Sequence, residues 1–408
     1  MIALHGVKNM NIGIIGTGKM GLAIFRLLAA KHYKITVLAI DEAEARASEK
    51  KCIKWLNRSL RRKKISDDDV KKKKESLRFT HHIEDLSSSA MVIEAIFEDY
   101  DEKANLFRRL ESVVDRKTVL VTNTSSLSIE QLAGQLKHRD RFCGLHFFYP
   151  VVIIKLIEII RSTDTSDHLV GFLLEFCKDI DMRAIVVNDA PGSMVNFVLA
   201  HYYVEALYIL EEGRALPSEI DAVAKKYFYI GPCESLDVIG IDFFVAALTN
   251  IMGEFLGTGS DGNPTISGIR EGYYLPYLFD RLVAEKRVGK KAAMGIYLYQ
   301  RDKALDDVPE FYINPERKGA IGNTPSTDDI LERRLLYSVY NGSLYCLKQK
   351  MSTLREVDTG IKEVLLMEEG PCTMMRRIGK DALVENFGLL AQHVGRRFTN
   401  NQFDFLFD

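Results

Sequence analysis

The chain has 408 residues, 47% hydrophobic and 27% charged, proportions that suit a folded protein of two or three domains and exclude a disordered or fibrous class. Lys and Arg number 55 against 56 Asp and Glu, so a net charge of −1 gives no global field to draw nucleic acid or an anionic membrane. The longest greasy stretch, residues 147–160, contains Pro150, Lys155 and Glu158 and is too short and polar to span a bilayer. Residues 1–11 carry no secretory-type apolar core, and the six cysteines show neither CxxC pairs nor metal-ligand spacing. These features predict a cytoplasmic protein with reduced thiols, no metal and no membrane partner.

In chain order, the first half alternates strand-like and helix-like patterns and predicts an α/β fold with a parallel sheet. Residues 11–15 form a buried strand, 20–31 a helix, 34–40 a second strand and 42–64 a long basic helix. Further strands are expected at 92–96, 118–122, 142–147 and 156–160, with a last run at 184–187. Asp189-Ala190-Pro191-Gly192 then marks a boundary, after which helices are expected at 195–212, 217–228 and 235–256. Polar stretches at 257–268 and 302–329 read as loops. The resulting domains are 1–188, 189–300, a linker 301–329 and 330–408.

The two helical domains look like copies of one unit. Tyr208 to Asp221 and Tyr345 to Asp358 share one spacing, and Gly-Pro-Cys triplets at Gly231 and Gly370 follow, with a small insertion in the second copy. An apolar helix, an acidic turn and the triplet recur in the same order. The all-α region is therefore expected to be duplicated.

Gly16-Thr17-Gly18-Lys19-Met20-Gly21 is a GxGxxG between a strand and a helix. Gly16 would allow the tight turn, Gly18 the approach of a pyrophosphate to backbone beside Met20, and Gly21 close helix–strand packing. The helix N-terminus would offer its amides to the phosphates. Asp41, at the end of the second strand, is placed to take the adenosine ribose hydroxyls and to repel a 2′-phosphate. The combination predicts a Rossmann-type, doubly wound N-terminal sheet that binds NAD.

Between Arg46 and Arg78 basic residues dominate, among them Lys54, Arg58, Arg61 and the run Lys71–Lys74. An ordinary solvated helix surface explains such a run. So does a docking surface for a phosphate-rich ligand such as coenzyme A, or for an acidic carrier protein, with Lys54 and Arg61 as contacts. Nothing here matches a nucleic-acid motif.

The stretches "VIEAIFEDYDEKANLFRRL", "NTSSLSI", "DRFCGLHFFYPV", "KLIEII" and "DAPGSMVN" resemble the L-3-hydroxyacyl-CoA dehydrogenase family in order and spacing. So do "IGTGKMG" and, further on, "EALYILEEG" and "GPCESLDVIGID". The resemblance covers roughly residues 10 to 300, and the remainder resembles the degenerate second C-terminal domain of longer members. It implies an NAD-dependent enzyme interconverting 3-hydroxyacyl and 3-oxoacyl thioesters of CoA or an acyl carrier protein. Removing hydride from a secondary alcohol leaves a proton on its oxygen, for which a histidine is the natural base. By resemblance His146 is that base and Glu158, on the next strand, fixes its ring. Ser125 and Asn196 match residues that contact the substrate oxygen, Glu98 and Lys103 match positions at the nicotinamide end, and Asn123 helps close the same turn. Short family members pair through the helical domain, so this chain is expected as a monomeric pseudo-dimer or a homodimer.

The chain departs from the family at Tyr149, where Asn is usual, at Ser193 and Phe197, and at Ala292 and Ala293. Tyr149 neighbours His146 and would alter the volume and hydrogen bonding of a substrate pocket, which points to an unusual acyl unit in a fatty-acid or polyketide-like context. Two other classes fit the same motifs: a dehydrogenase of a free hydroxy acid or sugar acid, and a catalytically silent NAD-binding protein.

Overall fold

The computed structural model describes residues 9–62, 66–190, 192–253, 256–258, 264–266, 276–301, 303–314, 328–395, 398 and 403–407. They fall into two units, Met1–Asp189 and Ala190–Asp408. The first is built on β1 (Asn11–Ile15), α1 (Lys19–Ala29), β2 (Lys34–Leu38), α2 (Glu42–Arg61), α3 (Asp67–Glu75) and β3 (Leu77–Thr80). It continues with β4 (Met91–Glu94), α4 (Tyr100–Val113), β5 (Val119–Thr122), α5 (Ile129–Ala133), β6 (Phe142–Phe147), β7 (Leu156–Arg161), α6 (Asp167–Asp179) and β8 (Arg183–Asn188).

These strands form one eight-stranded sheet in the order β3-β2-β1-β4-β5-β6-β7-β8. β4 and β5 are buried at every position, so they read as continuous apolar runs of a sheet covered on both faces. β1 pairs in parallel with both β2 and β4, so the strand order reverses beside β1. That reversal opens a crevice at the carboxyl ends of the strands, where ligands bind in such sheets.

Two expectations for this unit need correction. The sheet is not wholly parallel: β7 runs antiparallel to β6. Too few residues separate Phe147 from Leu156 for a crossover helix, so the chain must turn straight back. The basic stretch also holds more than one helix, for α3 follows α2 and leads into β3, an edge strand the pattern did not show. Ser66 and Asp69 make a reciprocal capping box on α3. Its acids occupy the first turn and Lys72–Lys74 the last, the arrangement the helix dipole favours.

The second unit contains α7 (Met194–Glu211), α8 (Pro217–Ala224), α9 (Pro232–Ile239), α10 (Ile241–Gly253), the ribbon β9 (Leu256–Thr258) with β10 (Pro264–Ile266), and α11 (Tyr277–Ala284). Then come the ribbon β11 (Leu298–Gln300) with β12 (Lys303–Leu305), α12 (Pro309–Tyr312), α13 (Asp328–Lys348), α14 (Leu354–Leu365), α15 (Pro371–Ile378) and α16 (Lys380–Val394). The expected helix over 235–256 is broken at Gly240, whose φ of +103° ends α9 before α10 begins. Both stretches expected as loops are structured in part. Buried Asp237 accepts hydrogen bonds from the Ile296 and Tyr297 amides and the Tyr299 hydroxyl, anchoring the segment that leads into β11. Residues 315–327 of the expected linker lie outside the described residues.

The duplication is explicit in the hydrogen bonds. The Asp221 carboxylate accepts from the amides of Cys233 and Glu234 at the start of α9, both at 2.9 Å. The Asp358 carboxylate likewise accepts from Cys372 and Thr373 at the start of α15, at 2.6 and 3.0 Å. A Cβ at Gly231 or Gly370 would lie 2.3 or 2.4 Å from the Asp221 or Asp358 carboxyl carbon. The acidic turn is thus the cap, the glycine makes room for it, and the proline opens the helix at N1.

Both copies lie in the same unit, where α7 packs along α13. α7 is buried on nearly every face, as a helix with no polar side must be. Gly342 lets the backbones close: a Cβ there would meet Val198 Cα at 3.0 Å. Buried Arg334 of α13 ties the copies together, its guanidinium 2.6 Å from Glu205 and 2.5 Å from Glu212.

Candidate active site

At the carboxyl end of β1, Gly16 and Gly18 lie in the turn before α1, and Gly21 lies in the first turn of that helix. Gly16 has a φ of +107°, and a Cβ on it would sit 2.4 Å from the Ala95 carbonyl oxygen. At Gly21 a Cβ would meet the Gly16 carbonyl oxygen at 2.0 Å, so that glycine sets the approach of helix to strand. Gly18 differs: a Cβ there would have no neighbour within 4 Å. The chain does not use that space, which lies at the N-cap of α1. Among the described residues no side chain caps α1, and no acid stands in its first turn, so the amides near Lys19 and Met20 suit an anion. These features fit the pyrophosphate of a dinucleotide.

Asp41 is exposed at the start of α2, where one carboxylate oxygen accepts from the Glu44 amide at 2.8 Å. It therefore serves as a helix cap whatever else it binds. Glu44 returns to the glycine turn through Thr17; bonds from Thr17 and Ser48, with the charge of Lys51, hold its carboxyl below the usual range.

At the ends of β4 and β5 a buried network positions the next loop. Glu94 is wholly buried and accepts from Lys103 at 2.5 Å, from the Ile96 amide at 2.7 Å and from the Thr122 hydroxyl at 2.5 Å. Lys103 also lies 3.4 Å from Glu98. Glu98 in turn accepts from the Ser125 and Ser126 amides at 3.0 and 3.1 Å, and from the Thr124 hydroxyl. Burial pushes the Glu98 carboxyl up, but Lys103 and these bonds outweigh it and hold it below the usual glutamate range. The Asn123 side chain accepts from the Phe147 amide at 2.9 Å, joining the ends of β5 and β6.

His146 and Glu158 are direct partners in the β6–β7 pairing. Their side chains meet, with His146 Nδ1 2.8 Å from Glu158 Oε2; the histidine is 5% exposed and the glutamate 0%. This leaves Nε2 as the ring nitrogen for a substrate oxygen. Phe148 packs on the ring at 4.5 Å between centroids. Beyond it Tyr149 is 49% exposed, and the Lys19 ammonium lies 4.0 Å from its ring centre.

The first unit thus brings together the glycine turn, Asp41, Glu98, Lys103, Asn123, Ser125, His146, Tyr149 and Glu158 at one end of one sheet. Asn196 stands in the first turn of α7, in the second unit, and is partly buried. Lys54 is exposed on α2, whereas the Arg61 side chain lies outside the described residues. Glu94 was missed from sequence, although an acid inside a buried apolar strand is itself a signal that a paired cation exists. The roles of Thr17, Thr124 and Lys19 had no such signal, since polar loop residues are common.

Among the described residues no group of His, Cys, Asp and Glu could hold a metal ion, and the six cysteines are buried. Among the same residues no helix is long and apolar enough to cross a membrane.

Known proteins agree with this architecture. Residues 11–190 match the family model of the 3-hydroxyacyl-CoA dehydrogenase NAD binding domain, and residues 192–299 that of its C-terminal domain. The chain is 32% identical to the mitochondrial hydroxyacyl-coenzyme A dehydrogenase of Rattus norvegicus, over 71% of this chain and 91% of that protein. A crystal structure of (S)-3-hydroxybutyryl-CoA dehydrogenase from Ralstonia eutropha, 29% identical, superposes with a TM-score of 0.64 over 72% of this chain and all of its own. The 3-hydroxybutyryl-CoA dehydrogenase of Escherichia coli K12 shares the fold over 96% of both chains, second helical copy included, with a TM-score of 0.82 at 23% identity. With its two family domains matched in order and its NAD-binding turn intact, the chain belongs to the 3-hydroxyacyl-CoA dehydrogenase family.

Proposed function

We propose that the protein oxidises a 3-hydroxyacyl-CoA to the 3-oxoacyl-CoA with NAD, or runs the reverse reaction, using His146 as the general base and acid. The observation that carries this reading is the His146–Glu158 pair beside the glycine turn. NAD, when bound, supplies the hydride acceptor for C3 of the substrate. His146 takes the hydroxyl proton on Nε2, while Glu158 holds the ring through Nδ1 and stabilises the imidazolium that forms. Ser125, on the loop that Glu98 fixes, and Asn196 donate to the substrate oxygen. Glu98 and Lys103 order the nicotinamide end, and Asp41 binds the adenosine ribose and selects NAD over NADP.

Lys54 and its neighbours on the exposed face of α2 are proposed to meet the phosphates of the thioester carrier, CoA in the first place. Tyr149, where the family has Asn, narrows the choice of acyl unit. A cytoplasmic setting is proposed, in line with six cysteines that form no CxxC pair. The second helical copy is proposed to take the place of a partner's helical domain, since α13 already packs along α7 and Arg334 joins them.

The test is a panel of 3-hydroxyacyl thioesters of CoA and of acyl carrier protein, with free hydroxy acids alongside, followed by nicotinamide absorbance. Turnover of a CoA thioester is expected. Turnover of free acids alone would replace this reading with a free-acid dehydrogenase, and NAD binding without any turnover would point to a silent cofactor-binding protein.

A further inference from the structure

Lys19 is a cation at the phosphate-binding turn that the functional reading leaves without a task. It occupies the first position of α1, directly after Gly18, where the amides face the space that suits a pyrophosphate. A lysine there is exposed and has a long, flexible stem, so left to itself it would spend little time over the turn. In this fold it is not left to itself. Its ammonium lies 4.0 Å from the ring centre of Tyr149, on the loop that follows β6 and the His146–Glu158 pair. An aromatic face attracts an ammonium at this distance through its quadrupole, and asparagine, the residue expected here in the family, offers no such face.

We infer that Lys19 is a further dinucleotide-binding residue and Tyr149 its positioning residue. The ring holds the ammonium beside the phosphate turn before cofactor arrives, so less side-chain freedom is lost on binding. The inference rests on the NAD reading of the glycine turn and adds two residues to it. The chemistry recognised is the pyrophosphate, so the effect belongs to any ligand carrying one and not to the nicotinamide or the acyl thioester.

The experiment titrates the full chain with ADP-ribose, which has the pyrophosphate, and with adenosine, which does not, by calorimetry at low and moderate salt. Lys19→Met is expected to weaken ADP-ribose about fivefold at low salt, the size of one screened charge near a phosphate, and to flatten the salt dependence. Adenosine binding should be unchanged. Tyr149→Leu should weaken ADP-ribose about threefold, as loss of an exposed cation–π contact would, and Tyr149→Phe should restore it. In a Lys19→Met background Tyr149→Leu should add nothing further. Wild-type affinity for ADP-ribose in Lys19→Met would overturn the inference. Additive losses would show that Tyr149 acts without Lys19, and would overturn its positioning role. If wild-type protein bound neither NAD nor ADP-ribose, the NAD reading itself would fall, and that result is distinct from both. Matching thermal unfolding of the variants separates these effects from misfolding.

Discussion

His146 and Glu158 face each other across β6 and β7, with Nδ1 2.8 Å from a carboxylate oxygen that is fully buried. Antiparallel pairing puts the two residues in register, so the backbone ladder itself aims the imidazole. His146→Gln should cut kcat by about 10²–10⁴-fold, the usual share of a general base. NAD affinity, measured by quenching or calorimetry, should stay near wild type. Glu158→Gln should cut kcat by about 10²-fold or more through loss of ring orientation. Turnover unchanged in His146→Gln would remove the mechanism.

The glycines of the turn should separate by experiment. Gly21→Ala drives a methyl against the Gly16 carbonyl, 2.0 Å from the added Cβ, and should destabilise the first unit by about 3 kcal/mol or more in thermal or denaturant unfolding. Gly18→Ala meets no protein atom within 4 Å and should unfold like wild type. Its NAD affinity should nevertheless fall about tenfold or more, because the methyl occupies the phosphate path. Equal affinity in Gly18→Ala and wild type would argue against a pyrophosphate there.

Glu94 and Lys103 are an ion pair with both side chains at or below 1% exposure. Replacing Glu94 by Gln leaves the buried ammonium with Glu98 as its remaining carboxylate and should cost about 3 kcal/mol. Glu94→Gln combined with Lys103→Met should recover much of that loss, which a double-mutant cycle in urea would read directly. Activity should recover less than stability, since Lys103 also holds Glu98 and, through it, the Ser125 loop. Simple additivity of the two losses would show that the pair is not coupled.

Asp221 makes a pH prediction. Burial pushes its carboxyl up to about 6, although the Cys233 and Glu234 amides and the Tyr297 hydroxyl favour the charged form. The folded value lies above the unfolded one, so its contribution to stability is fully present below about pH 4 and is lost as pH rises through about 6. Relative to Asp221→Asn, wild type should therefore lose about 3 kcal/mol between those limits, taking 1.36 kcal/mol per unit. Urea unfolding of both proteins at several pH values gives the difference. A flat difference would mean that Asp221 titrates as it does in the unfolded chain.

What sequence by itself determined about this protein is local. The GxGxxG turn and the recurring Gly-Pro-Cys triplets follow from steric limits and local spacing and stand where their patterns placed them, as do most of the strands of the first unit. His146 and Glu158 were singled out by the family resemblance; the strand pattern alone showed only that both stand on short apolar strands, twelve residues apart in the chain. The reversal of β7, the edge strand β3 and the break at Gly240 were not legible, because pairing direction and positive φ are set by the room left for a connection and not by composition. Lys103, Glu94 and Glu98 show the limit most clearly. Lys103 and Glu98 read as ordinary charges in one dimension, and only the packing of α4 on the ends of β4 and β5 joins them with Glu94 into a buried support for the Ser125 loop. The Lys19–Tyr149 contact is of the same kind, since it joins residues far apart in sequence and rests on a distance that no spacing rule contains.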